Sequence, residues 1–224
     1  MARVARVDVG EEIYHVINRA NGRLQIFNTK EDYLLFEKLL AEAKNLTDMR
    51  ILAYTIMPNH WHLILKPRKD GDLALFLHSL CNTHTRKVHA MTKTNGSGHL
   101  YQGRYKSFLV DSEGYLLTLI KYVERNPVRA KLALHPGDWR WGSSWRRING
   151  SGQQASLIDA SPALFPQDYI SWINTPEKEN EISDIRTSVN KGMPYGRGLW
   201  AEQMVGKYHL ESTLRAPGRP KKEK

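Results

Sequence analysis

Two imidazoles separated by one residue, His60 and His62, sit inside the run Met57-Pro58-Asn59-His60-Trp61-His62-Leu63-Ile64-Leu65. Side chains of a strand alternate between faces, so these two project together while Trp61, Leu63 and Leu65 point the other way. Two neutral imidazoles a few ångströms apart form half of a metal site. A pair of polar residues near a strand end shows the same pattern. The pair therefore needs a partner elsewhere in the chain before it implies chemistry.

A second group lies far downstream, on a helix predicted over residues 112–125. At about 100° per residue, Leu119, Tyr122 and Asn126 fall within about 40° of Tyr115, and Leu116, Ile120 and Val123 continue the apolar face to one side. Tyr122 and Asn126 thus stand one turn apart at the edge of the buried face. A tyrosine in that position is ordinarily a packing residue with its hydroxyl in water. Pro127 is expected to end the helix and to bias Asn126 away from helical angles.

These groups must be positioned by the elements around them. Residues 13–18 are β-branched and aromatic and read as a strand, followed by the turn-prone Asn21-Gly22. A helix begins after Thr29, whose hydroxyl caps it with Asp32 at the third helical position; Leu35, Phe36, Leu39, Leu40 and Ala43 form its apolar stripe. Residues 51–57 and 60–66 are two strands separated only by Pro58-Asn59, a tight hairpin signal. A second helix, about residues 72–91, carries Leu73, Phe76, Leu77, Leu80, Val88 and Met91 at helical spacing. A polar loop over residues 93–98 leads to a fourth strand at 104–110 and then to the helix of Tyr122. The order βαββαβ plus a helix matches an α+β, ferredoxin-like fold with an antiparallel sheet and packed helices, although other arrangements share these elements.

From about residue 150 the composition changes. Asn149-Gly150-Ser151-Gly152-Gln153-Gln154 has the make-up of a linker, and residues 149–214 read as a partly helical C-terminal extension to a domain of residues 1–148. Residues 215–224 are basic, contain prolines and lack core formers, which predicts a disordered tail.

Lys and Arg number 33 against 23 acidic residues, a formal net charge of +10. Such an excess attracts polyanions through counterion release, and nucleic acid is the commonest soluble one. Membrane-surface binding would call for a basic amphipathic helix with an outward apolar face, and none is evident. The single Cys81 excludes a disulfide framework and a Cys-rich zinc knuckle. With no signal-like stretch and no run near the roughly 18 apolar residues of a membrane helix, the expectation is a cytoplasmic, nucleoid-associated protein.

Five stretches occur in order: Tyr14-His15-Val16-Ile17-Asn18-Arg19, Met57-Pro58-Asn59-His60-Trp61-His62, Tyr101-Gln102-Gly103-Arg104-Tyr105-Lys106, Lys121-Tyr122-Val123-Glu124-Arg125-Asn126-Pro127-Val128-Arg129-Ala130 and Trp139-Arg140-Trp141-Gly142-Ser143-Ser144. Together they resemble the single-tyrosine HUH transposases, and among these the REP-associated tyrosine transposases of bacteria. The resemblance spans about residues 1 to 148. It implies a ferredoxin-like fold, a metal held by His60, His62 and Asn126, and Tyr122 as the nucleophile. Relatives use glutamine at the third metal position, so an amide there is within the family's range. The implied reaction is cleavage of DNA with formation of a 5′-phosphotyrosine and a free 3′-hydroxyl. The implied substrate is single-stranded DNA beside a hairpin formed by REP-type palindromes. Hard phosphate and amide oxygens beside two imidazoles favour Mg²⁺ or Mn²⁺. The REP-associated branch implies a monomer, whereas insertion-sequence relatives exchange helices in dimers.

Arg19, Arg23, Arg104, Lys106, Arg125 and Arg129 flank the site in sequence and are candidate DNA contacts, each also readable as a solvated charge. Trp139, Trp141 and Trp145 are candidates for stacking on bases or for core packing. Gly218-Arg219-Pro220 resembles an AT-hook core that places Arg219 in a minor groove, with Pro217 where an arginine is usual. Tyr101, Tyr105 and Tyr115 are rival nucleophiles. Beside the DNA nickase and strand transferase stand two alternatives: a non-catalytic protein that binds palindromic repeats, and a two-histidine hydrolase of small phosphate esters.

Overall fold

The computed structural model describes residues 6–94, 96, 98–112 and 114–215. The strands are β1 (Tyr14–Arg19), β2 (Arg50–Met57), β3 (His60–Lys66) and β4 (Lys106–Leu109). Between β1 and β2 runs α1 (Lys30–Thr47), and between β3 and β4 runs α2 (Asp72–Thr92). The sheet has the order β2-β3-β1-β4 with every pairing antiparallel. This is the ferredoxin-like arrangement expected from the element order.

Alternation along the strands divides the core in two. Trp61, Leu63 and Leu65 of β3, with Tyr14 and Val16 of β1, pack under Phe36, Leu39 and Leu40 of α1 and Leu73, Phe76, Leu77 and Leu80 of α2. The opposite face carries Ile64, Ala53 and Phe108, covered by Leu116, Leu119, Ile120 and Val123 of α3 (Tyr115–Glu124). The histidine pair lies on this second face. α1 begins as the sequence predicts, with the Thr29 hydroxyl accepting from the Asp32 amide and the Asp32 carboxylate accepting from the Thr29 amide.

The β2-β3 hairpin turns at Pro58-Asn59, and the segment after β1 fixes it from outside. Ile26 and Phe27 donate to the Pro58 carbonyl at 2.9 and 3.1 Å, and Ala20 donates to the Asn59 carbonyl at 2.9 Å. The strand that starts at His60 is therefore anchored at its first residue.

Residue 150 is not where packing ends. Ile182 and Ile185 of the helix Glu179–Lys191 belong to the core under α3, while Val205 of the helix Gly198–Lys207 and Leu210 belong to the α1/α2 core. Tyr195 exchanges backbone hydrogen bonds with Leu109 and Asp111 at 2.8 and 2.9 Å, which covers the free edge of β4. Trp141 does the same for β2 through Ile56. Among the described residues no helix is long and apolar enough to cross a membrane. The AT-hook-like Gly218-Arg219-Pro220 lies outside the described residues.

One expectation fails at Pro127. The chain keeps turning through it: α3 ends at Glu124, and Asn126 opens the short helix α4 (Asn126–Arg129). The missing proline N–H leaves the Val123 carbonyl without its helical partner. Thr55 Oγ1 fills that place at 2.9 Å, and Asn126 Nδ2 adds a longer contact at 3.4 Å. Pro127 thus falls in the first turn of α4, where an N–H would have no intrahelical acceptor, and side chains satisfy the Val123 carbonyl at the end of α3.

Candidate functional site

Register assembles the site from distant parts of the chain. On the α3-covered face, His60 pairs with Arg19, and His62 pairs with Ile17 on one side and Thr55 on the other. Their ring centroids are 5.1 Å apart, near enough to share one ion. Thr55, beside His62, ties α3 to β2 through the Val123 carbonyl, and the Tyr122 ring then meets His62 edge-on with centroids 6.2 Å apart. Residues sixty positions apart in sequence converge in this way.

Each histidine has one ring nitrogen committed. His60 Nδ1 lies 2.6 Å from the Asn59 carboxamide oxygen, which can only accept, so Nδ1 carries the proton and Nε2 presents a lone pair. His62 Nδ1 lies 2.9 Å from Nε2 of His15, a wholly buried imidazole that meets it edge to edge with the rings within 12° of parallel. Neither Nε2 of the pair has a hydrogen-bond partner among the described residues. Burial, reinforced by the Arg19 charge, lowers the pKa of His60 to about 4. Burial, with the neighbouring His15 and His60 and the charges of Arg129 and Arg19, holds His62 well below the usual histidine range. Both are neutral at physiological pH, as ligation requires.

Asn126 stands one turn beyond Tyr122, and its Nδ2 donates to the Tyr122 carbonyl at 3.1 Å. The amide oxygen is left without a hydrogen-bond partner among the described residues. No cluster of three or more His, Cys, Asp or Glu side chains suited to a metal occurs among the described residues. Two imidazole nitrogens and one amide oxygen would make a neutral, sparse donor set. It fits a divalent ion that keeps open positions for a phosphate.

Arg129 of α4 covers the tyrosine. Its guanidinium carbon is 4.1 Å from the Tyr122 ring centroid, and the same group donates to the Tyr122 carbonyl and pairs with Glu177. Glu177 also receives Arg125 Nε at 2.8 Å, and Arg125 Nη1 donates to the carbonyls of Ile173 and Asn174. Arg125, proposed from sequence as a DNA contact, is thus buried and engaged with the extension.

The other basic candidates separate by position. Arg19, Arg104 and Lys106, together with Gln102 and Asn190, line a concavity of about 370 Å³ beside the histidine pair. Arg23 is exposed behind the hairpin, where its carbonyl accepts from Asn59 Nδ2 at 3.3 Å. Trp139 and Trp141 pack on Tyr33, and Trp139 Nε1 donates to the Ile56 carbonyl; Trp145 is half-buried under Arg140. Of the rival tyrosines, Tyr101 is on the opposite face, receiving Trp61 Nε1 at 3.0 Å and lying 2.7 Å from His84 Nδ1. Tyr105 stacks under Arg6, and Tyr115 packs against Tyr195. Only Tyr122 stands at the histidine pair.

Sequence reasoning passed over His15, Asn59 and Glu177. The alternation of β1 placed His15 on one face with Ile17 and Arg19, but its neighbour across the sheet depends on the strand order. Glu177 lies in a stretch with weak periodicity and offered no signal.

A family model described as "Transposase IS200 like" matches residues 9–126. No curated protein sequence matches the chain. Among solved structures, one described as a REP-associated tyrosine transposase bound to a REP hairpin is similar at 18% identity, covering 72% of this chain and 96% of that one, with a TM-score of 0.50. A putative transposase from Deinococcus radiodurans R1 is similar at 20% identity, covering 56% of this chain and 97% of that one, with a TM-score of 0.40.

Proposed function

Because the chain belongs to the family of IS200-like transposases, we propose that it is a single-tyrosine nickase and strand transferase acting on single-stranded DNA beside a REP-type hairpin. The observation that carries this reading is the convergence of Tyr122 with His60 and His62 on one sheet face. The solved relative bound to a REP hairpin supports the choice of substrate.

In this reading the Tyr122 oxygen bonds to phosphorus and the bond from phosphorus to the 3′ oxygen breaks. The phenol proton passes to solvent, and the departing oxygen takes up a proton to become a 3′-hydroxyl. The 5′-phosphotyrosine keeps the phosphodiester's energy, so attack by another 3′-hydroxyl reverses the step and joins new ends. His60, His62 and Asn126 would hold a Mg²⁺ or Mn²⁺ ion, which when bound polarises the phosphoryl oxygens. Asn59 fixes the tautomer of His60, and Arg129 fixes the plane of the attacking ring. Arg19, Arg104 and Lys106 guide the strand along the concavity beside the site. One chain supplies the histidine pair and the tyrosine, which supports action as a monomer on chromosomal DNA in the cytoplasm.

The test is incubation of the full chain with Mg²⁺ or Mn²⁺ and a 3′-end-labelled single strand carrying its genomic palindrome, followed by a denaturing gel. A labelled band at the protein's position, lost in Tyr122→Phe, is expected. Hairpin binding with no such band would favour the non-catalytic repeat-binding alternative.

A further inference from the structure

His15 is an imidazole with no exposure to solvent, set in β1 among apolar neighbours: Phe108 meets it edge-on at 4.9 Å and Ile64 lies across the strand. If packing alone governed the position, a phenyl ring would serve as well without burying two nitrogens. Of those nitrogens, Nδ1 has no hydrogen-bond partner among the described residues, while Nε2 lies 2.9 Å from His62 Nδ1, the two rings edge to edge and within 12° of parallel. Among the described residues, the only polar group His15 addresses is therefore one member of the histidine pair.

Between two neutral imidazoles that share one hydrogen bond, the proton sits on one side or the other. If His15 Nε2 donates, His62 carries its own proton on Nε2, and that nitrogen cannot ligate. If His62 Nδ1 donates, His62 Nε2 presents a lone pair on the side of Tyr122 and His60. Asn59 imposes the corresponding tautomer on His60 with an oxygen that can only accept. The same in-plane hydrogen bond resists turning of His62 about its Cβ–Cγ bond.

We infer that His15 is a positioning residue for the metal centre: it accepts a hydrogen bond from His62 Nδ1 and so holds His62 Nε2 deprotonated and aimed at the ion. The inference rests on the reading of His60, His62 and Asn126 as metal ligands and adds a group outside that set. His15 touches neither substrate nor the ion.

The test is Mn²⁺ binding by the full chain, followed by electron paramagnetic resonance at neutral pH in the presence of an unreactive single-stranded oligonucleotide. His15→Phe keeps ring and packing but removes the acceptor, and it weakens Mn²⁺ binding roughly tenfold to a hundredfold. His15→Gln, whose amide oxygen can accept from His62 Nδ1, recovers a large part of that loss. Hairpin binding without metal stays within twofold of wild type in both variants, and matching circular dichroism spectra show that both fold. Mn²⁺ binding by His15→Phe within twofold of wild type overturns the role of His15 while leaving the metal centre intact. Equal Mn²⁺ binding by wild type and His60→Ala overturns the metal centre itself, and the role of His15 with it.

Discussion

The guanidinium carbon of Arg129 lies over the ring of Tyr122, 4.1 Å from its centroid, and Glu177 of the extension holds it there. Glu177 is almost wholly buried and also pairs with the buried Arg125, so one carboxylate from beyond residue 150 bridges two cations next to the candidate nucleophile and balances one of their two charges. Removing one partner of a buried pair leaves an uncompensated charge. Glu177→Gln is expected to lower the unfolding free energy by about 3 kcal/mol in urea titrations. In the same variant the single-turnover rate of covalent adduct formation should fall about tenfold or more as the tyrosine ring loses its fixed orientation. A variant as stable and as fast as wild type would remove the extension from the site.

The proposed metal ligands are all neutral, and Arg19 and Arg129 place positive charge near His62. A cation entering this field without DNA is repelled, whereas a bound phosphate supplies the missing negative charge. Mn²⁺ is expected to bind Tyr122→Phe at least about tenfold more tightly with a single-stranded oligonucleotide than without it, since about 1.4 kcal/mol suffices for that factor. Equal affinities, measured by electron paramagnetic resonance, would contradict a site that shares its ion with the strand.

Salt dependence separates the arginines that face the concavity from the one that is buried. Arg19→Ala, Arg104→Ala and Lys106→Ala should each reduce the slope of log affinity against log salt for a single strand by about 0.7. Arg125→Met should leave that slope unchanged, because its guanidinium already serves Glu177 and two carbonyls. Fluorescence anisotropy at four salt concentrations distinguishes these outcomes.

His84 sets an acid limit on stability away from the site. It is buried against Phe27, Phe36 and Tyr101, and burial lowers its pKa to about 4. In the unfolded chain the group titrates near 6.5, so between about pH 6.5 and 4 the unfolded state binds a proton that the folded state refuses. Stability contributed by the neutral ring is complete above pH 6.5 and is lost as the pH falls towards 4, at up to about 1.4 kcal/mol per pH unit. Urea midpoints at pH 7, 6 and 5 should therefore fall less steeply for His84→Gln than for wild type. Parallel profiles would show that His84 does not contribute.

Much of this arrangement was legible in the sequence because strand alternation and helix periodicity act locally. The split order of strands and helices, the capping of α1 by Thr29 and Asp32, and the shared face of His60 and His62 follow from spacing alone. Boundaries moved where tertiary contacts decide them: a strand expected over residues 104–110 is regular only over Lys106–Leu109, and the helix expected over 112–125 begins at Tyr115. Asn126 was misjudged because the bias a proline puts on the residue before it is a local preference, whereas Thr55, 68 residues before Val123, takes up the carbonyl that the proline leaves unpaired. His15 and Glu177 were invisible for a different reason. Their meaning lies in which strand sits beside β1 and in where a weakly patterned extension packs, and neither is encoded in local period.

The central claim is that Tyr122 is the group that becomes bonded to DNA, and peptide mapping of the covalent product by mass spectrometry tests it most directly. With Mn²⁺ and a single strand carrying the genomic palindrome, the nucleotide mass should reside on the tryptic peptide containing Tyr122, joined through the 5′ phosphate, and should vanish in Tyr122→Phe. Nucleotide attached to Tyr101, Tyr105 or Tyr115, or an adduct undiminished in Tyr122→Phe, would contradict it.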